Sequence, residues 1–186
     1  MTPEPGPHLV TERLLLRRWR AADLAPFAEM NADPLVMRYF PRPLDRAESD
    51  AIVERTEASF AERGYGLWAV ERRADAAFLG FTGLSLQVFE APFTPCVEVG
   101  WRLRVDAWGH GYATEAGRAA LRFGFEEIAL AEILSWTSVS NLPSIRVMER
   151  IGMHHDPADD FDNPRVPLGS PLRPHVLYRM RADEVG

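Results

Sequence analysis

The densest chemistry in the 186-residue sequence lies between Val97 and Thr114. A strand-like stretch, Val97 to Val105, runs into Asp106-Ala-Trp-Gly-His-Gly-Tyr-Ala-Thr and then into a helical pattern. Gly109 and Gly111 have no Cβ, so the backbone can turn tightly there and let a ligand approach its N–H groups. Those amides open a helix, whose dipole places about half a positive charge at its start. Together they make an anion site suited to a pyrophosphate. A plain strand-to-helix turn with convenient glycines accounts for the same residues without a ligand. No Gly-Lys-Ser/Thr follows, which excludes a P-loop, and no Gly-x-Gly-x-x-Gly occurs, which removes the dinucleotide fingerprint. A second informative stretch runs from Thr137 to Met153. Asn141 follows a strand and either caps the next helix or offers its amide to a ligand lying between two strands.

Other reactive side chains carry less. His154-His155-Asp156 superficially suggests a metal, but neighbouring residues on a strand point to opposite faces and seldom chelate one ion, so no metal site is expected. Cys96 is the single cysteine. It cannot form an intramolecular disulfide, fits a reducing cytoplasm, and reads as a small packed residue rather than a nucleophile. Trp19, Trp68, Trp101, Trp108 and Trp136 read as core or pocket wall, and Arg17, Arg18 and Arg20 as a solvated strand edge.

These groups need elements to position them. Leu14 to about Trp19 is strand-like, and Asp23 is placed to cap a short helix with Leu24, Phe27 and Met30 on one face. Asp33-Pro34 is expected to open another short helix through Tyr39, broken by Pro41 and Pro43. A helical pattern from Ala47 to Arg63 ends at Gly64 as its C-cap. Strands are expected over Gly66 to Glu71, Phe78 to Phe89, Val97 to Val105, Glu132 to Val139 and His175 to Met180. Gly80 and Gly83 mark bulges or close backbone approach within the second of these. The helix after Gly111 reaches about Ile128, and Gly117 and Gly124 suggest close packing on a sheet. A short helix spans Asn141 to Arg150, and five prolines punctuate the loop from Pro157 to Pro174. Strands and helices interleave, giving an α/β (α+β) class with a mixed sheet.

Composition sets the outer bounds. Hydrophobic residues make up 46% and charged residues 26%, which excludes wholesale disorder. The length fits one domain over residues 11–182, preceded by a flexible, proline-bearing arm over residues 1–10. A net charge of −6 lacks the basic excess that a phosphate backbone demands, so nucleic acid is not an expected partner. No apolar run reaches the roughly 20 residues that span a bilayer, and prolines near the start argue against a signal peptide. No membrane partner and a cytoplasmic location are therefore expected, and an exposed edge strand leaves a homodimer possible.

Taken in order, several segments resemble the GNAT superfamily of N-acetyltransferases, in particular the type that includes the ribosomal-protein N-terminal acetyltransferases RimJ and RimL. They are Thr11-Glu-Arg-Leu-Leu-Leu-Arg, Asp33-Pro-Leu-Val-Met-Arg-Tyr, Leu79-Gly-Phe-Thr-Gly-Leu, Glu98-Val-Gly-Trp-Arg-Leu, Trp108-Gly-His-Gly-Tyr-Ala-Thr-Glu-Ala, Asn141-x-x-Ser144 and Arg150-Ile-Gly-Met. The resemblance covers about Thr11 to Met180. It implies a mostly antiparallel central sheet, flanked by helices, whose fourth and fifth strands splay apart to hold acetyl-CoA. It implies that the main chain of Trp101 and Leu103 pairs with the pantetheine arm. The turn of Trp108, Gly109, His110, Gly111, Tyr112, Ala113 and Thr114 would hold the pyrophosphate, with Asn141 bonding the pantetheine from the other side.

There are departures from the family pattern. Trp108 stands where Arg or Gln is common, although the RimJ/RimL type often has an aromatic there. His110 replaces a usual Lys or Arg, which predicts weaker cofactor affinity. Met148 stands where many members place a tyrosine acid. The expected activity is transfer of acetyl from acetyl-CoA, without a metal, to a primary amine on a protein N-terminus or a small molecule, by direct attack. The alternatives are a non-catalytic acetyl-CoA sensor or a transferase of longer acyl chains. Glu98 is the candidate base and Ser144 the candidate proton donor to sulfur; a solvated strand carboxylate and an ordinary helix serine are the plainer accounts. Asp160 and Asp162 are a second candidate for the base, or for binding a cationic amine.

Overall fold

The structure, a computed structural model, describes residues 7–184. One sheet holds nine strands: β1 (Leu9–Val10), β2 (Leu14–Arg17), β3 (Leu67–Arg72), β4 (Ala77–Gln87), β5 (Cys96–Leu103), β6 (Glu132–Ser138), β7 (His154–His155), β8 (Phe161–Asp162) and β9 (Pro174–Arg181). Four helices accompany it: α1 (Leu24–Ala32), α2 (Arg46–Arg63), α3 (Tyr112–Glu126) and α4 (Leu142–Arg150). The strand order is β1-β2-β3-β4-β5-β6-β9-β7, with β8 also on β9. Every pairing is antiparallel except β5 with β6.

That exception positions the site. β4 and β5 stay paired from Gln87–Cys96 to Gly80–Leu103. β5 and β6 meet only at Glu98 and Leu134. From Glu98 onward β5 remains with β4 while β6 follows β9, so the two part. This is the splay expected between the fourth and fifth strands; the count rises by one because Leu9–Val10 pairs with Leu16 and Leu15.

Period-two patterning sorts side chains to the two faces. Trp68 and Val70 of β3 enter the main core with Leu14, Leu16, Leu84, Val99 and Ile133, while Ala69 faces a second cluster of Trp19, Phe27, Met30, Val53, Phe78 and Phe81. Between Val70 and Glu71 the register shifts, leaving Leu79 without a partner across the ladder. The extra residue lets both Phe78 and Phe81 face the second cluster. Gly80 and Gly83 do mark this bulge and a close approach: a Cβ on either would lie 2.2 Å from a neighbouring carbonyl oxygen. α3 lies on the main-core face, where a Cβ on Gly124 would come within 2.6 Å of Ile133 Cδ1.

Four expectations need correction. Leu9–Val10 belongs to the sheet, and Trp68 Nε1 donates to Pro7 O at 2.8 Å; residues 1–6 of the expected arm lie outside the described residues. Residues 34–39 form turns rather than a helix: the Met37 amide reaches Asp33 O and the Phe40 amide turns to Met37 O, and Pro41 and Pro43 just beyond stop any continuation. Asp23 precedes α1 but does not cap it with its side chain. Its carboxylate is taken by Arg17 at 2.6 and 2.9 Å and by the Arg20 amide. Arg17 is accordingly buried rather than solvated, with Glu71 as its second partner. Long-range pairing of this kind leaves no trace in local sequence. α2 ends at Gly64 as expected and begins one residue before Ala47, behind a capping box between Asp45 and Glu48 that the sequence reading did not name.

Candidate active site

A cleft of about 720 Å³ opens where β5 and β6 diverge. Its volume lies within the ~300–1,000 Å³ range of small-molecule sites. β5 contributes Glu98 and Gly100 to Leu103, β6 contributes Ser135 to Thr137, and the turn before α3 and the first turns of α4 form one side. The loop after α1 and the segment around Arg165 close the other.

The turn is shaped by its glycines. Gly109 and Gly111 adopt φ of +77° and +80°, a region that side chains with a Cβ avoid. Gly111 sits at the N-cap of α3, and no side chain caps that helix, so its first amides have no partner within the helix. Thr114 Oγ1, in the first turn, is buried without a hydrogen-bond partner among the described residues. Trp108 Nε1 donates to Leu103 O at 2.9 Å, tying the turn to the end of β5. Free amides, a helix dipole and an orphaned hydroxyl fit the diphosphate of a coenzyme.

Most expected contact residues line this cleft: Trp101, Leu103, Trp108, Gly109, Gly111, Tyr112, Ala113, Thr114, Asn141 and Ser144. His110 does not. Its ring stacks on Tyr112, and its carbonyl accepts a bond from Arg13 Nη1 at 2.9 Å. Arg13 thus brings a guanidinium to the turn, although it is paired with Glu115. Asn141 is the α4 cap: its Oδ1 accepts from the Ser144 amide and its Nδ2 donates to Thr137 Oγ1 at 2.8 Å. Those bonds fix its amide at the edge of the cleft while leaving one N–H and part of the oxygen's capacity free. Ser144 is half-buried, and its hydroxyl makes no hydrogen bond among the described residues. Met148 is fully buried in the main core and outside the cleft.

Glu98 is half-buried where the strands part, and no hydrogen bond or ion pair among the described residues engages its carboxylate. Burial pushes its carboxyl up to about 8, with the positive charge of Arg165 pulling the other way. Cys96, two residues earlier, has its thiol pushed up to about 11 by burial and by nearby carboxylates, Glu98 first, so it is a poor nucleophile at neutral pH. The loop acids lie elsewhere. Asp160 accepts from His155 and from the Leu177 amide, and Asp162 pairs with Arg173. Neither reaches the cleft.

Sequence reasoning missed several lining residues: Arg38, Tyr39, Phe40, Arg102, Asn163 and Arg165. For Arg102 a signal existed. Glu98, Gly100 and Arg102 alternate along one strand and therefore share a face. The others come from loops that only the tertiary fold brings to β5.

Comparison with known proteins agrees with this geometry. The profile of the Acetyltransferase (GNAT) domain matches residues 13–154. The chain is 36% identical over 150 residues to the protein YkkB of Bacillus subtilis (strain 168), covering 79% of this chain and 85% of that protein. It is 32% identical over 164 residues to the FsC-acetyl coenzyme A-N(2)-transacetylase of Aspergillus fumigatus, covering 83% of this chain and 68% of that one. A GNAT-family acetyltransferase from Bacillus anthracis superposes with a TM-score of 0.78 at 25% identity, over 95% of this chain and 99% of its own. The splayed sheet, the amide-rich turn and these matches together place the chain in the GNAT acetyltransferase family, whose members transfer acetyl from acetyl-CoA.

Proposed function

We propose that this acetyltransferase delivers its acetyl group to a primary amine by direct attack, with Glu98 as the base. The observation that carries the reading is a carboxylate with no partner among the described residues, at the one residue pair through which β5 and β6 are joined in the ladder. A base with a pKa near the working pH combines a useful ionised fraction with enough basicity to draw a proton from an ammonium group.

The amides of Gly109 to Thr114 hold the diphosphate, and the main chain of Trp101 to Leu103 runs beside the pantetheine, with Asn141 opposite. The acceptor enters on the Glu98 face. Glu98 accepts the proton, directly or through water, as the amine nitrogen bonds to the thioester carbon. The tetrahedral intermediate then breaks its C–S bond, and the thiolate takes a proton from Ser144 or from solvent. Thiolate is a good leaving group, so a strong acid at the position of Met148 is not required.

Thiol release from acetyl-CoA across a panel of amines tests the proposal. Acceptor-dependent release, with acetyl recovered on nitrogen, is the expected result. Tight coenzyme A binding with no release for any amine would instead identify a binding module.

A further inference from the structure

The acceptor side of the cleft holds a cation without a counter-charge. Arg102 points from β5 into the space between the sheet and α1, where its Nη1 donates to Asn31 Oδ1 at 2.6 Å. Its guanidinium lies 4.2 Å from the Phe40 ring centroid and 5.5 Å from that of Phe81. Its Nε is buried with no partner, and no carboxylate pairs with it among the described residues.

Arg17 shows what this chain does with a guanidinium that serves only structure: it is enclosed by the carboxylates of Asp23 and Glu71. Charge removed from water calls for such compensation. Arg102 has only a neutral amide and two ring faces, and Asn31 in turn donates to the Ser49 hydroxyl rather than to an acid. Desolvation accordingly lowers its pKa, to about 10. A strut between β5 and α1 would not need the charge. The side open to change is the cleft, which Arg102 lines.

The remaining charges point the same way. Among the charged side chains lining the cleft, Glu98 is the single carboxylate, against the arginines 38, 102, 146, 150 and 165. Arg165, on the Glu98 side, bonds Gln87 Oε1 at 3.0 Å and lies over Phe89 at 4.3 Å, again with no acid. A polyamine would meet one acid and several cations here. A molecule with an amine at one end and a carboxylate at the other would meet Glu98 and Arg102.

These two share a face of β5 and stand four residues apart, about 13 Å at their Cα atoms. Between them is Gly100, where an added Cβ would have only Glu98 Oε1 near it, at 4.0 Å. The glycine leaves open floor from one charged group to the other.

We infer that Arg102 binds a carboxylate of the acceptor, making the acceptor an amine-bearing carboxylic acid. The inference rests on the amine-acetylation reading but is tested separately from it. The experiment is calorimetry on the full chain saturated with coenzyme A, titrated with α- and ω-amino acids and with the carboxamide of each. At least one acid should bind tenfold or more tightly than its carboxamide. That preference should fall to near one in Arg102→Met and in part in Arg102→Lys. The preference ratio is read within each protein, and the wild-type comparison stands alone if a variant fails to fold. Equal binding of acids and amides, tighter binding of amides, no binding of either, or an acid preference that survives Arg102→Met would overturn the assignment. Thiol release plays no part in this readout. Acid-selective binding without turnover would uphold Arg102 and defeat catalysis; turnover of neutral amines without acid selectivity would do the reverse.

Discussion

Replacing Glu98 with glutamine removes a charge while keeping the shape, and its effect follows from where that carboxylate stands. In the unfolded chain the carboxyl titrates near 4.5; in the folded cleft burial pushes it up to about 8. The folded state therefore holds this proton more tightly. Its contribution to stability is complete below about pH 4.5, falls as pH rises, and levels off above about pH 8. At about 1.4 kcal/mol per tenfold change in proton affinity, the full interval is worth about 5 kcal/mol. Water entering the cleft relieves part of this, so a loss of roughly 2–3 kcal/mol is the working figure.

Glutamine cannot ionise and has no such slope. Urea unfolding of both proteins from pH 5 to pH 9, without acceptor, should give nearly equal stabilities at pH 5. At pH 9 Glu98→Gln should be the more stable by ~2–3 kcal/mol. The same variant should lose about 10²- to 10⁴-fold in kcat/KM, together with the limb that rises through about pH 8 in the wild type. An acceptor amine could produce a similar limb by losing its own proton, which is why the acceptor-free unfolding curves are decisive. A stability difference that stays flat with pH would refute the raised carboxyl, and a variant that keeps wild-type turnover would refute its role as base.

Two further outcomes follow from the same structure. Thr114→Val removes a hydroxyl that has no partner, so thermal stability should hold or rise slightly, while coenzyme A affinity falls about three- to tenfold, the value of roughly one hydrogen bond; calorimetry and a melting curve read the two together. Arg17→Met takes the buried guanidinium shared by Asp23 and Glu71, leaving Asp23 only the Arg20 amide and Glu71 only the Arg20 side chain, which should cost about 3–5 kcal/mol in urea unfolding at pH 7.

The glycine turn that lines the cleft was legible in the sequence and most of the opposite wall was not, for a reason rooted in chain connectivity. The turn proposed for the diphosphate is built from backbone amides of consecutive residues, Gly109 to Thr114, so its chemistry is local. Two glycines before a helix start are visible in the sequence, and the structure gives both a positive φ. The splay was legible only through family resemblance, because divergence between Glu98 and Leu134 depends on pairing between segments more than thirty residues apart. Arg17 shows the limit. As one of three arginines near a strand end it reads as solvated, and the fold encloses it between Asp23, six residues on, and Glu71, 54 residues on.

The acceptor wall follows the same logic in reverse. Tyr39 comes from turns where a helix was expected, Phe40 from the bend just after them, and Arg165 from a loop whose acids drew attention first. Those acids, Asp160 and Asp162, are consumed by His155 and Arg173. What reaches the cleft is the chain's opposite charge. Charge counted along the sequence is net acidic, at −6, whereas the cleft's charged lining is five arginines and one glutamate. A field of that sign favours anions at both ends of the reaction, the coenzyme's phosphates and the acceptor's acid group. Acetyl transfer should therefore slow with added salt more steeply for an amino acid than for its uncharged-tail carboxamide. An equal salt dependence for the two would mean that the cleft's positive charge serves the coenzyme alone.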